Sequence, residues 1–329
     1  MNIDIAEAIK NTNMYELAMK TQKGIPMTDT EDMVVAQLDA KFKEIGKLGY
    51  DKDREISAFM TRVLTEELYN TPDELLDLIF DQDTIGANDD FELITEPKNT
   101  LVAYDAAQGG NVPKSYLDIS AMTPKWKTKQ IESEISFADL ERNGWKTVAR
   151  FTEYATQAFK NAMFRDIFSD LDSVIVSGAP NYITVSGDTM TQAAADALAL
   201  YVNDWAEGEG TIVGYTKYIQ QISKLQGFDS EAMKDEIHRT GRLGMYDGVA
   251  LTPISSVRKQ GDGTGLFIDK RVFGVAGKIG RLTMRGEMKV YETENNNKEK
   301  IELKACGFTY GWAFESAAAE KVCKVVLGA

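Results

Sequence analysis

Apolar residues recur at helical spacing through the first third of this chain and shift towards a period of two after residue 100. Ile9, Met14, Leu17 and Ala18 form one loose helical face. Val34, Leu38, Phe42, Ile45 and Leu48 form a second, and Ile56, Phe59, Met60, Val63 and Leu64 a third. Thr28 stands three residues before Glu31, the spacing of a capping box, in which each side chain satisfies an early backbone amide of the helix. Thr71-Pro72 opens a further turn through Leu75, Leu76 and Ile79, with proline at its favoured first-turn position. Asp81 to Glu96 is acid-rich and reads as a loop closed by Pro97. These apolar faces are narrow, and short helices are marginal alone, so they need another surface to cover them.

From Thr100 the pattern is extended: Leu101, Val102 and Tyr104, a Gly109-Gly110 break, then Val112-Pro113, Tyr116, Leu117 and Ile119. Pro124 to Lys129 alternates strictly. A strand there puts Lys125, Lys127 and Lys129 on one face and Trp126 on the other. Ile131, Ile135 and Phe137 continue it, and Ser136 with Asp139 marks a helix start. Trp145 to Ser177 predicts one long helix, with Val148, Phe151, Ala155, Phe159, Phe164, Ile167, Leu171 and Val174 at steps of three and four. At about 1.5 Å per residue it is a rod of roughly 50 Å. Gly178 and Pro180 end it. The neighbouring sequence offers this rod no partner, so it is expected to bury its faces on other copies of the chain.

Thr191 to Trp205 predicts another helix, Thr211 to Gly214 a buried strand, and Tyr215 to Leu225 a helix. Gly241 to Gly248 is rich in turn residues. Strands follow at Val249 to Thr252, Val272 to Ala276, Met288 to Tyr291, Ile301 to Lys304, Phe308 to Phe314 and Val322 to Leu327, with a hairpin tip at Asn295-Asn296-Asn297. The fold class is α+β.

Composition is ordinary for a globular protein, at 43% hydrophobic and 27% charged, and no apolar run is long enough to span a bilayer. The start, MNIDIAEAIKNTNM, lacks a basic segment followed by an apolar core, so no signal peptide is expected. Charge changes the picture more. The formal net charge is −14, yet residues 1–96 hold 22 acids against 9 bases, while residues 97–329 hold 29 against 28. This asymmetry predicts a separate N-terminal module. It also argues against binding to nucleic acid, because neither part is basic.

Candidate chemistry is sparse. His238 is the only histidine, and nothing beside it suggests a triad or a metal site. The Gly274 to Gly280 stretch lacks the spacing of a dinucleotide fingerprint, and Gly261-Asp262-Gly263-Thr264-Gly265 reads as a flexible loop. Asp81, Asp83, Gly86 and Glu92 fall at calcium-loop positions one, three, six and twelve, but Ile85 occupies a ligand position and cannot ligate. An acidic linker is the better reading. Cys306 and Cys323 read as two free thiols of a reducing cytosol. No catalytic residue, cofactor or metal is expected, which shifts weight towards a structural role.

The order of elements, together with several short phrases, resembles the major capsid proteins of tailed bacteriophages, the HK97-like fold. The phrases are Gly110-Asn111-Val112-Pro113 ahead of the extended loop and Val176-Ser177-Gly178 ending the rod. Further on stand Thr211-Ile212-Val213-Gly214-Tyr215, then Gly241-Arg242-Leu243-Gly244 before Tyr246-Asp247-Gly248, and Gly307 to Phe314 before the last strand. The resemblance covers roughly residues 97–329.

The resemblance implies a helical N-terminal arm at 1–96 and an extended E-loop region at 97–140. It implies a P-domain with its spine helix at 141–190 and 285–314, and an A-domain at 191–284 and 315–329. It implies a subunit with no catalysis that self-assembles, as pentamers and hexamers with scaffolding and portal proteins, into an icosahedral head shell around double-stranded DNA. Such a protein reads no DNA sequence, touches no membrane, is assembled in the bacterial host cytoplasm and resides in the virion. Lys125, Trp126, Lys127 and Lys129 would then be intersubunit contacts, with the acidic first third a counter-charge for the lysines. Residues 1–96 exceed a minimal arm; they are an elaborated arm or a segment of the kind some relatives remove. Two other readings compete: an encapsulin-type shell enclosing a cargo enzyme, for which the N-terminal third is too long, and an unrelated cytosolic α/β enzyme, which would need a polar constellation not visible here.

Overall fold

The computed structural model describes residues 13–51, 54–69, 73–89, 95–98, 101–103, 105, 114, 118–121, 123–206, 210–222, 224–225, 244–257, 259, 261–295 and 299–328. The features expected at Ile9, Thr71-Pro72, Glu92, Tyr104, residues 109–113, Tyr116, Leu117, His238, residues 241–243 and Asn296-Asn297 lie outside these.

The three expected N-terminal helices form: α1 (Met14–Lys23), α2 (Asp29–Leu48) and α3 (Glu55–Tyr69). Thr28 and Glu31 close the capping box, with Thr28 N donating to Glu31 Oε2 at 2.8 Å and Glu31 N to Thr28 Oγ1 at 3.3 Å. A single turn, α4 (Glu74–Asp77), is capped by Asp73 and leads into β1 (Phe80–Ile85). Here the acidic loop expected from Asp81 onward is instead a strand. It pairs in parallel with β10 (Gly280–Arg285), from Phe80 opposite Gly280 to Ile85 opposite Arg285. Asp83 meets Arg281 and Thr283, and Asp81 meets Lys278 at 2.8 Å. Pairing with a distant strand that supplies counter-charges overrides the local preference for a loop.

The first sheet is organised by β12 (Lys300–Phe314), one strand of 15 residues where two were expected. On one side β12 pairs first with β11 (Lys289–Asn295) and then with β10. On the other side β4 (Lys125–Ser136) runs antiparallel along its length. The strand is interrupted rather than ended at Gly307, whose φ of +94° is costly for any other residue and where the β4 register shifts. Tyr69, the last residue of α3, fills that break. Its hydroxyl donates to Gly307 O at 2.7 Å and accepts from Thr309 N at 3.1 Å. Along the edge of β11, Val290 N donates to Thr61 Oγ1 at 2.9 Å, so α3 covers a strand edge that would otherwise be open.

The second sheet has the order β5 (Tyr182–Val185), β13 (Val322–Leu327), β9 (Arg271–Ala276), β6 (Gly210–Tyr215), β8 (Val249–Ile254), β7 (Met245–Tyr246). Helix α7 (Gln192–Ala206) packs on it, α8 (Thr216–Ile222) follows β6, and α9 (Ala318–Lys321) leads into β13. A pair of short strands, β2 (Thr95–Lys98) and β3 (Asp118–Ala121), brackets the extended stretch.

Helix α5 (Phe137–Asn143) is capped by Ser136, and the rod α6 (Trp145–Val174) follows with 30 residues. It stops short of Ser177 because Ile175 already has an extended backbone, at φ −106° and ψ 117°. The expectation that α6 lacks partners within the chain is corrected. Its first residue, Trp145, is buried between Phe42 and Phe59, at ring-centroid distances of 6.3 and 5.5 Å. Its middle meets β12 through Phe159 and Phe308, and near its end Phe168 meets Phe267 at 4.8 Å, which in turn packs on Phe273 of β9 in the second sheet. The separate N-terminal module is corrected too. Buried residues of α1, α2, α3 and β1 belong to the same hydrophobic cluster as both sheets, so the charge boundary near residue 96 is not a boundary in the fold.

Replacing Tyr69 with Phe should destabilise the unassembled chain by about 1–3 kcal/mol, because a backbone donor and acceptor at the bulge lose their partner. Urea unfolding reads this directly; an unchanged midpoint would contradict the role given to the hydroxyl.

Candidate functional site

The polar centre of the described structure lies where the β4–β12 ribbon crosses α6. Asp166 and Asp170 are four residues apart and so share one face of the helix. In the antiparallel register Lys127 is opposite Tyr310 and Lys125 opposite Trp312, so these side chains project from the same face of the ribbon. The two sets meet. Lys125 Nζ lies 2.6 Å from Asp170 Oδ1, and Lys127 and Lys129 lie 2.8 and 2.7 Å from the two oxygens of Asp166. Tyr310 donates to Asp166 at 2.6 Å and Trp312 Nε1 to Asp170 at 2.9 Å. Lys127 also sits 5.5 Å from the centre of the Trp312 ring.

These contacts do not weigh equally. The Lys125 side chain is 63% exposed, so its ion pair is worth little in water. Tyr310 and Trp312 are buried at 0% and 2%, and their donors would have no water to turn to if the carboxylates were removed. Burial pushes the Asp166 carboxyl up, but hydrogen bonds from Lys127, Lys129 and Tyr310 outweigh it and hold it below its ordinary range. Burial, then the bond to Asp166, pushes the Tyr310 hydroxyl well up. Asp166 is therefore the ionised acceptor and Tyr310 the neutral donor.

The counter-charges of the lysine row thus lie in its own chain, on α6, and not in the acid-rich first third. Trp126 is on the opposite face, as the alternation predicts. Its ring covers Gly311, where an added Cβ would come within 2.6 Å of a ring carbon, and the Arg285 guanidinium lies 5.6 Å from its centre. A cleft of about 830 Å³, lined by Tyr69, Thr84, Arg285, Lys289 and Thr309 among others, opens on the sheet beside it. Beyond the crossing, Asp172 receives Arg271 at 3.2 Å and the buried Lys324 at 3.1 Å, tying the end of α6 to the second sheet.

Among the described residues no group of three metal-ligating side chains occurs, and no helix is long and apolar enough to cross a membrane. Asp81 and Asp83 are engaged by Lys278, Arg281 and Thr283, which leaves the calcium-loop pattern without free ligands there. Cys306 and Cys323 are free thiols; burial pushes Cys323 up to about 12, the opposite of what a reactive thiol needs. Asp166 and Asp170 were not singled out from sequence. The available signal was two acids at helical spacing on an otherwise apolar stripe, matching a row of three lysines.

Three comparisons bear on this arrangement. Residues 4–260 match the family model described as "SPbeta prophage-derived putative capsid protein YonB". No curated protein sequence matches the chain. Among solved structures, that of Gordonia phage Cozz is similar with a TM-score of 0.54 at 13% identity, over 76% of this chain and 85% of that one. The "Capsid of empty GTA particle computed with C5 symmetry" is similar with a TM-score of 0.54 at 10% identity, over 78% and 89%. The corresponding native particle gives 0.53 at 11% identity, over 78% and 90%. The fold is HK97-like.

Asp166→Asn should lower stability by about 1.5–3 kcal/mol at neutral pH, the range for bonds to a charged group. Because the folded chain holds this carboxyl below its ordinary value of 3.8, its contribution is present above that value and is lost as pH falls through the depressed one. Unfolding midpoints should therefore fall less steeply on acidification in the variant. An equal slope would contradict the assignment.

Proposed function

We propose, starting from a chain that belongs to the family described as "SPbeta prophage-derived putative capsid protein YonB", that many copies of it close into the icosahedral head shell enclosing phage double-stranded DNA. The observation that carries this reading is the family match over most of the chain, joined to an HK97-like fold. The chain is a major capsid protein, a virion component with a structural role. A prophage capsid family does not favour an encapsulin-type cargo shell, and it weighs against an unrelated α/β enzyme.

In this reading residues 97–140 are the E-loop region, residues 141–190 and 285–314 the P-domain, and residues 191–284 and 315–329 the A-domain. Copies meet as pentamers and hexamers. Scaffolding and portal proteins join assembly in the host cytoplasm. The lysines at 125, 127 and 129 serve first to fix the ribbon on α6. Trp126, on the face of the ribbon turned away from α6, is the better anchor for a neighbouring copy, since partly buried aromatic rings carry a disproportionate share of interface energy. The first third is retained in the shell, because losing it would remove β1 and the cover over the start of α6. A net charge of −14 suits a wall that must enclose DNA without adhering to it.

Negative-stain microscopy of the purified chain, alone or with its scaffold, should show closed shells, tubes or capsomers. A monodisperse monomer under all these conditions would contradict the proposal. Trp126→Ala should reduce assembly far more than it lowers the unfolding midpoint of the unassembled chain; equal loss of both would remove Trp126 from the interface.

A further inference from the structure

Glu292 lies on β11, on the face that packs against α3, and is only 9% exposed. Its Oε2 accepts from Ser57 N in the first turn of α3 at 3.3 Å, while its Oε1 has no hydrogen-bond partner. Two more carboxylates stand at the same seam. Asp51, 4% exposed, accepts from Ile56 N at 3.0 Å, and Glu294 accepts from Asp51 N at 2.9 Å. All three line a cavity of about 450 Å³ with Tyr50, Arg54 and Thr293. The neighbouring elements offer little relief: β12 places Leu303 opposite Glu292, α3 offers the neutral Ser57 and Thr61, and Arg54 does not reach Oε1. A buried, unpaired carboxylate oxygen beside two other acids is costly when charged and tolerable when it carries a proton.

We propose that Glu292 is a proton-operated latch: protonated, it seats the start of α3 on β11, and ionised, it loosens that seam and the cover that α3 gives the sheet edge. Burial, then the charge of Asp51 and further that of Glu294, pushes Glu292 up to about 7 from its ordinary 4.5, against the opposing bond from Ser57. Folding therefore takes up a proton between these values. The contribution of this site to stability falls as pH rises from about 4.5 to about 7 and is level above. The latch is independent of what the shell encloses.

The test is hydrogen exchange read by mass spectrometry on the full chain, from about pH 5 to about pH 9, corrected for the intrinsic pH dependence of exchange. Peptides over residues 55–69 and 289–295 should lose protection by at least about tenfold as pH rises to about 7 and level off above it, while those over α7 stay level throughout. Glu292→Gln should hold the protected level throughout. In Glu294→Gln the amide oxygen still accepts from Asp51 N but one repelling charge is gone, so the pH at which the loss levels off should move lower, which keeps the test open if the first variant does not fold. Wild-type protection that does not change, an identical loss in Glu292→Gln, or an unmoved levelling point in Glu294→Gln would each overturn the latch.

Discussion

Two carboxylates one helical turn apart hold the layers of this subunit in place. Asp166 and Asp170 project from α6 and collect Lys125, Lys127, Lys129, Tyr310 and Trp312 from the β4–β12 ribbon. The buried donors make this more than surface charge pairing: if the ribbon slid by one residue, Tyr310 and Trp312 would exchange faces with Gly311. The crossing thus sets the register of the longest strand on the longest helix. Trp126 reaches the opposite face as a result, and Gly311 keeps that face open for its ring.

The rest of the frame hangs on α6 in sequence. Its first residue is clasped by Phe42 and Phe59, its middle carries the ribbon, and its last turn reaches the second sheet through Asp172. Tyr69 and Thr61 then tie α3 to the bulge and the edge of the first sheet. The seam at Glu292 is the place where the same frame holds a buried acid with an unpaired oxygen.

Most of the helices could be read from the chain because their apolar residues recur at 3.6 and their caps are local; Thr28 with Glu31 is an example. The alternation at Pro124 to Lys129 likewise gave the two faces of β4. What could not be read depended on distant partners. Strand β1 looks like an acidic loop until β10 supplies Lys278, Arg281 and Thr283. Strand β12 looks like two strands because Ala305-Cys306-Gly307 interrupts the pattern, yet the bulge stabilised by Tyr69 carries the ladder across. The lysine row was legible as a row, but the identity of its counter-charge was not, since nothing local joins residue 125 to residue 170. Charge composition misled for the same reason: several acids of the first third, Glu16, Asp29, Asp32 and Glu44 among them, are exposed on helices whose apolar faces complete the common core.

If the frame fixed by Asp166 and Asp170 is the unit that the shell repeats, it passes into the assembled particle unchanged. A cryo-electron microscopy reconstruction of the assembled particle, at a resolution that shows side chains, measures this most directly. Lys125 should remain on Asp170, Lys127 and Lys129 should remain on Asp166 of the same chain, and a neighbouring copy should cover the face bearing Trp126. Lysines swung across to a neighbour's carboxylates, with the ribbon parted from α6, would contradict it.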